Sequence, residues 1–219
     1  ARGRSNLSSP APSPTVLLLG VGFGSAAPDN RSLDEIDALA QSWAAISGAV
    51  PRRLAEHAVD SVSRLLVSRG LRAALLLTPP FDRSAQQPGY IKGYPPGLRE
   101  NGGQYTHAAV WTLMANSILG EGDKVGELFS MLNPINRTAT RAGAFAYKVE
   151  PYVVAADIYA ESPHTRRGGW TWYTGAAGWL YQAGIESVLG LRIRAGKLSF
   201  HPCIPSAWRR YEMTLRYKT

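Results

Sequence analysis

The sequence predicts a mainly α chain of paired helices, an α/α barrel or solenoid, followed by a short β tail. Three observations support this. Apolar residues recur at helical spacing in six segments between residues 32 and 189, and glycine or proline stops most of them. Short connections alternate with long ones, so successive helices should pair while the long loops gather at one end. After Gly190 the period of the pattern drops to two. No simple repeat accompanies the pairs.

Residues 1–31 are rich in Ser, Pro, Gly and Ala, and read as a flexible leader with one short apolar segment, Val16–Val21. Arg2 and Arg4 ahead of Val16–Leu19 loosely resemble a secretion signal, but prolines 10, 12 and 14 interrupt it, and a disordered or artificial leader is the simpler reading. Ser32 and Glu35 form a capping box. The first helix follows, with Leu33, Ile36, Leu39, Ala40, Trp43 and Ile46 on one face, and ends at Gly48. Pro51 opens the second, whose stripe is Leu54, Ala58, Val62, Leu65 and Leu66, and Gly70 closes it. Ala73–Leu77 is a short apolar run stopped by Thr78–Pro79–Pro80, and a Pro/Gly-rich loop extends to residue 104. A loop of that length is functional or disordered. Helix three covers Tyr105 to Leu119 and helix four Lys124 to Leu132. A loop over 133–148 precedes helix five, Pro151 to Ala160, and a loop over 161–174 precedes helix six, Gly175 to Leu189. Leu191–Arg194 and Lys197–His201 alternate as strands around an Ala195–Gly196 turn, and Tyr211–Tyr217 reads as a third strand. The expected division is 1–31 leader, 32–190 helical body and 191–219 β segment.

The 219 residues are 45% hydrophobic and 18% charged, enough to bury a core. The net charge is +8 and the pI about 9.8. Nineteen of the 24 basic residues are arginines, but they are scattered, with adjacent pairs only at Arg52–Arg53, Arg166–Arg167 and Arg209–Arg210. That argues against nucleic acid and suits a small anion such as phosphate. The single cysteine, Cys203, allows no disulfide within the chain and agrees with a reducing compartment. The four histidines lack metal-ligand spacing, so no metal is expected. No apolar run reaches the roughly 18 residues that would span a membrane.

Function concentrates in three blocks: GYIKGYPPGLRENGGQYTHAA (Gly89–Ala109), KVEPYVVAADIY (Lys148–Tyr159) and RRGGWTWYTGAAGW (Arg166–Trp179). Each sets flexible glycines beside aromatic rings and hydrogen-bonding side chains. A polyhydroxylated ligand suits that mixture, because its C–H faces stack on rings while its hydroxyls need placed donors and acceptors. Gly102–Gly103 permits a turn that aims Glu100 and Asn101 at a ligand, or simply a solvated turn. Gln104 and Lys92 are weaker candidates of the same kind. Trp170, Trp172 and Tyr173 offer a stacking wall, although Trp172 and Trp179 also suit a core. His107 could cap or pack the start of helix three, and Thr174 could be an N-cap, which does not prevent it from binding an anion. Glu150 and Asp157 fit structural roles, with Asp157 and Glu100 as weak catalytic candidates.

These blocks, with LLTPPFD, LFSMLNPINR and the late HPCIPSAW, resemble in order and spacing the C-terminal half of glycoside hydrolase family 94. That family holds cellobiose and chitobiose phosphorylases and the phosphorylase-like end of cyclic β-1,2-glucan synthases, and the last group is the most similar. The resemblance covers Ile36 to Tyr217. It implies a partial (α/α)6 barrel, about six of twelve helices, with a β domain behind it. It also implies inverting transfer of a β-glucoside to inorganic phosphate as co-substrate, without a cofactor. One carboxylic acid protonates the leaving oxygen and phosphate stands where an inverting hydrolase places water. The family's phosphate cradle falls on His107, Thr174 and Gly175. Its general acid lies upstream of the matching region, and neither Asp29 nor Asp34 maps onto it. The chain alone is therefore expected to be a poor catalyst, since losing a general acid costs about 10²–10⁴ in rate.

Two other readings remain open on the sequence. One is a hydrolase with its own site, a glycosidase using Glu100 with Asp157 or Glu150; an esterase is weakened by the lack of a G-x-S-x-G elbow. The other is a non-catalytic carbohydrate-binding module. The expected partners are a β-linked glucan or glucose disaccharide, phosphate, and further copies of the chain associating through uncovered helix faces. The expected location is the cytoplasm or the cytoplasmic side of a bacterial inner membrane, as part of a larger protein.

Overall fold

Residues 36–82, 88–172 and 174–216 are described by a computed structural model. The leader, the Ser32–Glu35 capping box and Tyr173 lie outside them.

The architecture is mainly α. Helix α1 (Ala38–Ile46) is capped by Asp37, whose carboxylate accepts from the Leu39 and Ala40 amides at 2.7 and 3.1 Å. Helix α2 (Arg52–Leu65) enters through Pro51, as its sequence predicts. It buries Ala55, Ala58, Val59 and Val62. Its solvent face carries the exposed i,i+4 pairs Arg52–Glu56 and Arg64–Asp60, worth a few tenths of a kcal/mol each. Helix α3 (Thr106–Leu119) is the centre of the molecule. Ala108, Ala109, Val110, Leu113 and Ala115 point to different sides and are all buried, so α3 is enclosed on most of its circumference. It packs on α1, on α4 (Gly122–Leu132) and on α7 (Thr174–Gln182), which continues as a wider π turn over Ala183–Val188. The main core joins Val110, Leu113, Val125, Leu128, Leu180 and Val188. Gly120 ends α3 in the left-handed conformation at φ 85°, which a glycine adopts without penalty.

Two-residue strands tie the loops down. β1 (Ile36–Asp37) pairs with β4 (Leu77–Thr78), and β2 (Val67–Ser68) with β3 (Ala73–Ala74). A three-stranded antiparallel sheet is formed by β5 (Gln104–Tyr105), β6 (Asp157–Ile158) and β7 (Gly168–Gly169), with β6 in the middle. β8 (Leu191–Arg194) and β9 (Lys197–Phe200) form the expected hairpin, with Ala195 and Gly196 both at positive φ as a tight right-twisted turn requires.

Several expected elements are corrected. Ile36 belongs to a strand, and the first helix starts at Ala38. The segment predicted as helix five is not helical: residues 151–156 are irregular and 157–158 are β6. The buried Tyr147 hydroxyl explains the local path, donating to the Val153 carbonyl at 2.6 Å and accepting from the Ala155 amide at 3.1 Å. Those backbone groups are thereby removed from any helical ladder. The expected loop 133–148 instead holds α5 (Pro134–Arg137), capped by Asn133, and α6 (Arg141–Tyr147), capped by Thr140. Residues 211–216 form no strand. They belong to a tail whose Ile204 and Pro205 rest on Gly122 and Gly126 of α4, while Asp123 accepts from the Ser206 amide at 2.7 Å.

Candidate functional site

The three sequence blocks each contribute one strand to the small sheet. Tyr105 pairs with Asp157, and Asp157 pairs with Gly169. Directly paired residues share a face, so the sheet brings Tyr105, Asp157 and Gly169 into one row. β5 runs straight into α3, which places His107 in the first turn of that helix. β7 leads through Trp170 and Trp172 to Thr174, where α7 begins.

His107 and Gly175 meet. A Cβ added to Gly175 would stand 2.9 Å from His107 Nε2 and 3.3 Å from Cε1, so only glycine admits the ring at this distance. The imidazole is held from the other side by Tyr105, stacked at 5.5 Å, and by Trp111 at 6.1 Å. Trp111 in turn contacts Trp43 and Trp179 edge-on, at 5.6 and 5.7 Å. Burial pushes the His107 pKa below its ordinary value, which favours the neutral ring. His107 Nδ1 is buried with no hydrogen-bond partner. Protonated on Nε2, the neutral ring would turn a donor toward the start of α7. The first amides of α7 also lack intrahelical partners and sit at the positive end of its dipole. Thr174 and Gly175 are exposed there. Together these groups can hold an anion.

Beside this lies a charged cluster. Arg99 places its guanidinium 4.8 Å from the Trp170 ring centre and 5.7 Å from that of Tyr94, and its Nε is 3.5 Å from Glu100. Asp157 is fully buried, with the Arg99 backbone N–H placed to offset part of the loss of water around its carboxylate. Burial raises its pKa to about 6; nearby Arg99 opposes the rise and Glu100 adds to it. A Cβ on Gly169 would come within 2.8 Å of Asp157 Oδ1, so that glycine makes room for the carboxyl.

The other sequence candidates divide by side-chain direction. Asn101 and Gln104 face inward. The Asn101 amide bonds Phe81 N and O and Tyr94 O, and Gln104 Oε1 accepts from the Ala74 amide and from buried Arg137. Both shape the loop beneath the site instead of reaching out of it. Lys92 is half-buried on the 3-10 turn Gly89–Gly93. Trp170 and Trp172 are exposed, and Trp172 Nε1 donates to Glu150 at 3.1 Å. Trp179 packs in the core. Sequence reasoning passed over Arg99, Tyr105 and Trp111. Tyr105 and Trp111 had a signal in their spacing of two and four residues from His107. Arg99 had only its place beside Glu100.

Comparison with known proteins decides the family. Residues 22–190 match the Glycosyl hydrolase 94 superfamily, catalytic domain, and residues 191–219 match the Glycosyl hydrolase family 65, C-terminal domain. The chain belongs to the glycosyl hydrolase 94 superfamily. It is 49% identical over 181 residues to the cyclic beta-(1,2)-glucan synthase NdvB of Rhizobium meliloti (strain 1021), a match covering 83% of this chain and 6% of that protein. It is 33% identical over 177 residues to the N,N'-diacetylchitobiose phosphorylase of Vibrio furnissii, covering 80% of this chain and 21% of the relative. The solabiose phosphorylase of Paenibacillus borealis is 28% identical over 182 residues, or 81% and 23% of the two chains. The match thus spans between 6% and 23% of the length of these glycosyl hydrolase 94 relatives. The three blocks that build the site all lie inside the segment matching the glycosyl hydrolase 94 catalytic domain.

Proposed function

We propose that the chain is the phosphate- and sugar-binding portion of an inverting β-glucoside phosphorylase, with β-1,2-linked glucan as its sugar. The single observation that supports this most is the close approach of His107 to Gly175 at the start of α7. The hydroxyl of neighbouring Thr174 and the free amides of the α7 N-terminus, with the imidazole, make up the donor set a phosphate needs. Inorganic phosphate is the co-substrate, and the reaction calls for no cofactor. Glu100, Lys92, Trp170 and Trp172 form the sugar side, with Asn101 and Gln104 fixing the loop below; the sequence candidate Tyr173 lies outside the described residues. The helices from α1 to α7 are part of an (α/α)6 barrel, and the β8–β9 hairpin with its tail is a separate C-terminal segment. Among the described residues no helix is long and apolar enough to cross a membrane; the proposed setting is the cytoplasm or the inner face of a bacterial inner membrane.

Mechanistically, phosphate held between His107 and α7 would attack the anomeric carbon from one face while an acid protonates the departing oxygen on the other. His107, Thr174 and Gly175 are the residues proposed for the cradle. A glycosidase using Asp157 finds less support, because that carboxyl is wholly buried and does not reach a ligand. Glu100→Gln tests the glycosidase reading, which requires the substitution to abolish hydrolytic turnover; unchanged turnover would sink it.

Calorimetry with inorganic phosphate tests the proposal. The wild-type chain should bind phosphate. Thr174→Ala and Gly175→Ala should each weaken binding about tenfold or more, the first by losing a hydroxyl and the second by driving a methyl group into His107. Wild-type protein that is folded and binds no phosphate, or variants that bind it as well as wild type, would sink the reading.

A further inference from the structure

We propose that Tyr152, Trp172 and Glu150 form a second saccharide subsite, outside the anion cradle, that takes a β-linked gluco-oligosaccharide longer than a disaccharide. It rests on the sugar-and-phosphate reading above. Tyr152 and Trp172 are 68% and 63% exposed. They come from different sequence blocks, and their rings meet at 6.5 Å and 72°, forming an open aromatic corner. The corner is a fixed one. Trp172 Nε1 donates to Glu150 Oε1 at 3.1 Å, which ties the indole to the loop that carries Tyr152.

The backbone points the same way. Trp172 sits at φ 63° and Trp170 at φ 46°. A bulky residue in left-handed backbone costs on the order of 1–3 kcal/mol and persists where the surroundings hold it. At Trp172 the strained conformation presents the indole to solvent. Trp172 is two residues before Thr174, so their α-carbons are at most about 7 Å apart. The corner is therefore within reach of a chain whose reacting end lies at the cradle.

The chemistry selects a sugar. Exposed indole and phenol faces match the C–H faces of glucose rings. The Glu150 carboxylate at the foot of the corner would accept from a ring hydroxyl, whereas an apolar protein segment laid there would leave that charge desolvated and uncompensated.

The test is calorimetry on the full chain with a β-1,2-linked glucose disaccharide and the corresponding pentasaccharide. Wild-type protein should bind the pentasaccharide about fivefold or more tighter than the disaccharide, the scale of one aromatic contact. Tyr152→Ala should abolish that gain while leaving affinity for inorganic phosphate unchanged, and Trp172→Ala should abolish the gain as well. Glu150→Gln should keep most of the gain, since an amide oxygen still accepts the indole N–H, and Glu150→Ala should lose most of it. Circular dichroism confirms that each variant is folded. Equal affinity for the two sugars in wild type, or a length-dependent gain that survives in folded Trp172→Ala, overturns the subsite and leaves the phosphate reading standing. Wild-type protein that binds neither phosphate nor either sugar overturns both.

Discussion

Asp157 shows how one side chain couples a site to its solvent. The carboxyl is enclosed at the centre of the β5–β6–β7 sheet, and desolvation lifts its pKa to about 6. The folded chain therefore keeps this proton up to about pH 6, while the unfolded chain releases it near about pH 4. Between those values the folded state binds more protons, so stability falls as pH rises through the window, by on the order of 2 kcal/mol. Asp157→Asn should flatten that part of the profile in urea unfolding between pH 4 and 7. An unchanged slope in the variant would assign it to other groups. The sequence marked Asp157 as a carboxylate of uncertain duty. Its burial was not legible there, because it depends on Gly169, a residue of another block, leaving room for the carboxyl.

At the scale of elements, the helices that follow apolar stripes with clear stops were legible. Pro51 and Gly120 mark their ends in the sequence, and α2 and α3 obey them closely. The errors fall where local pattern and tertiary contacts compete. Residues 151–160 carry helix-compatible spacing, but the Tyr147 hydroxyl captures two of their backbone groups and β5 pairs with their end. The loop 133–148 hid two short helices whose caps, Asn133 and Thr140, are ordinary polar residues until the chain around them turns. The tail offers an element-scale test. Gly126 of α4 lies under Pro205 with no room for a side chain. Gly126→Leu should lift the tail, cost about 1–3 kcal/mol through overpacking, and speed hydrogen exchange at the Cys203 amide, which bonds the Val188 carbonyl. Unchanged exchange would mean that the tail is held without this contact.

For the whole molecule, the β hairpin and tail leave an apolar surface. Leu198, Phe200 and Leu215 are exposed around an open groove of about 460 Å³ that also touches Leu191, Ile204 and Met213. Surfaces of this kind promote association. Sedimentation at neutral pH should show species larger than a monomer, and the double substitution Leu198→Ser, Phe200→Ser should shift them toward the monomer; a wild-type monomer at all concentrations would refute this. His107, Thr174 and Gly175 were legible as cradle candidates through the family likeness of the three dense blocks. Their assembly into one place was not, since no local pattern says that β5, β6 and β7 pair. That pairing bears on how the molecule comes into being. Tyr105, Asp157 and Gly169 are distant along the chain, so loop-closure entropy opposes their meeting until the helical core has brought them near. The ligand site should thus be among the last features to mature during folding, and a collapsed chain that has formed its helices but not its sheet would be compact and unable to bind. Ligand capture would then report on completed folding more sensitively than helix content.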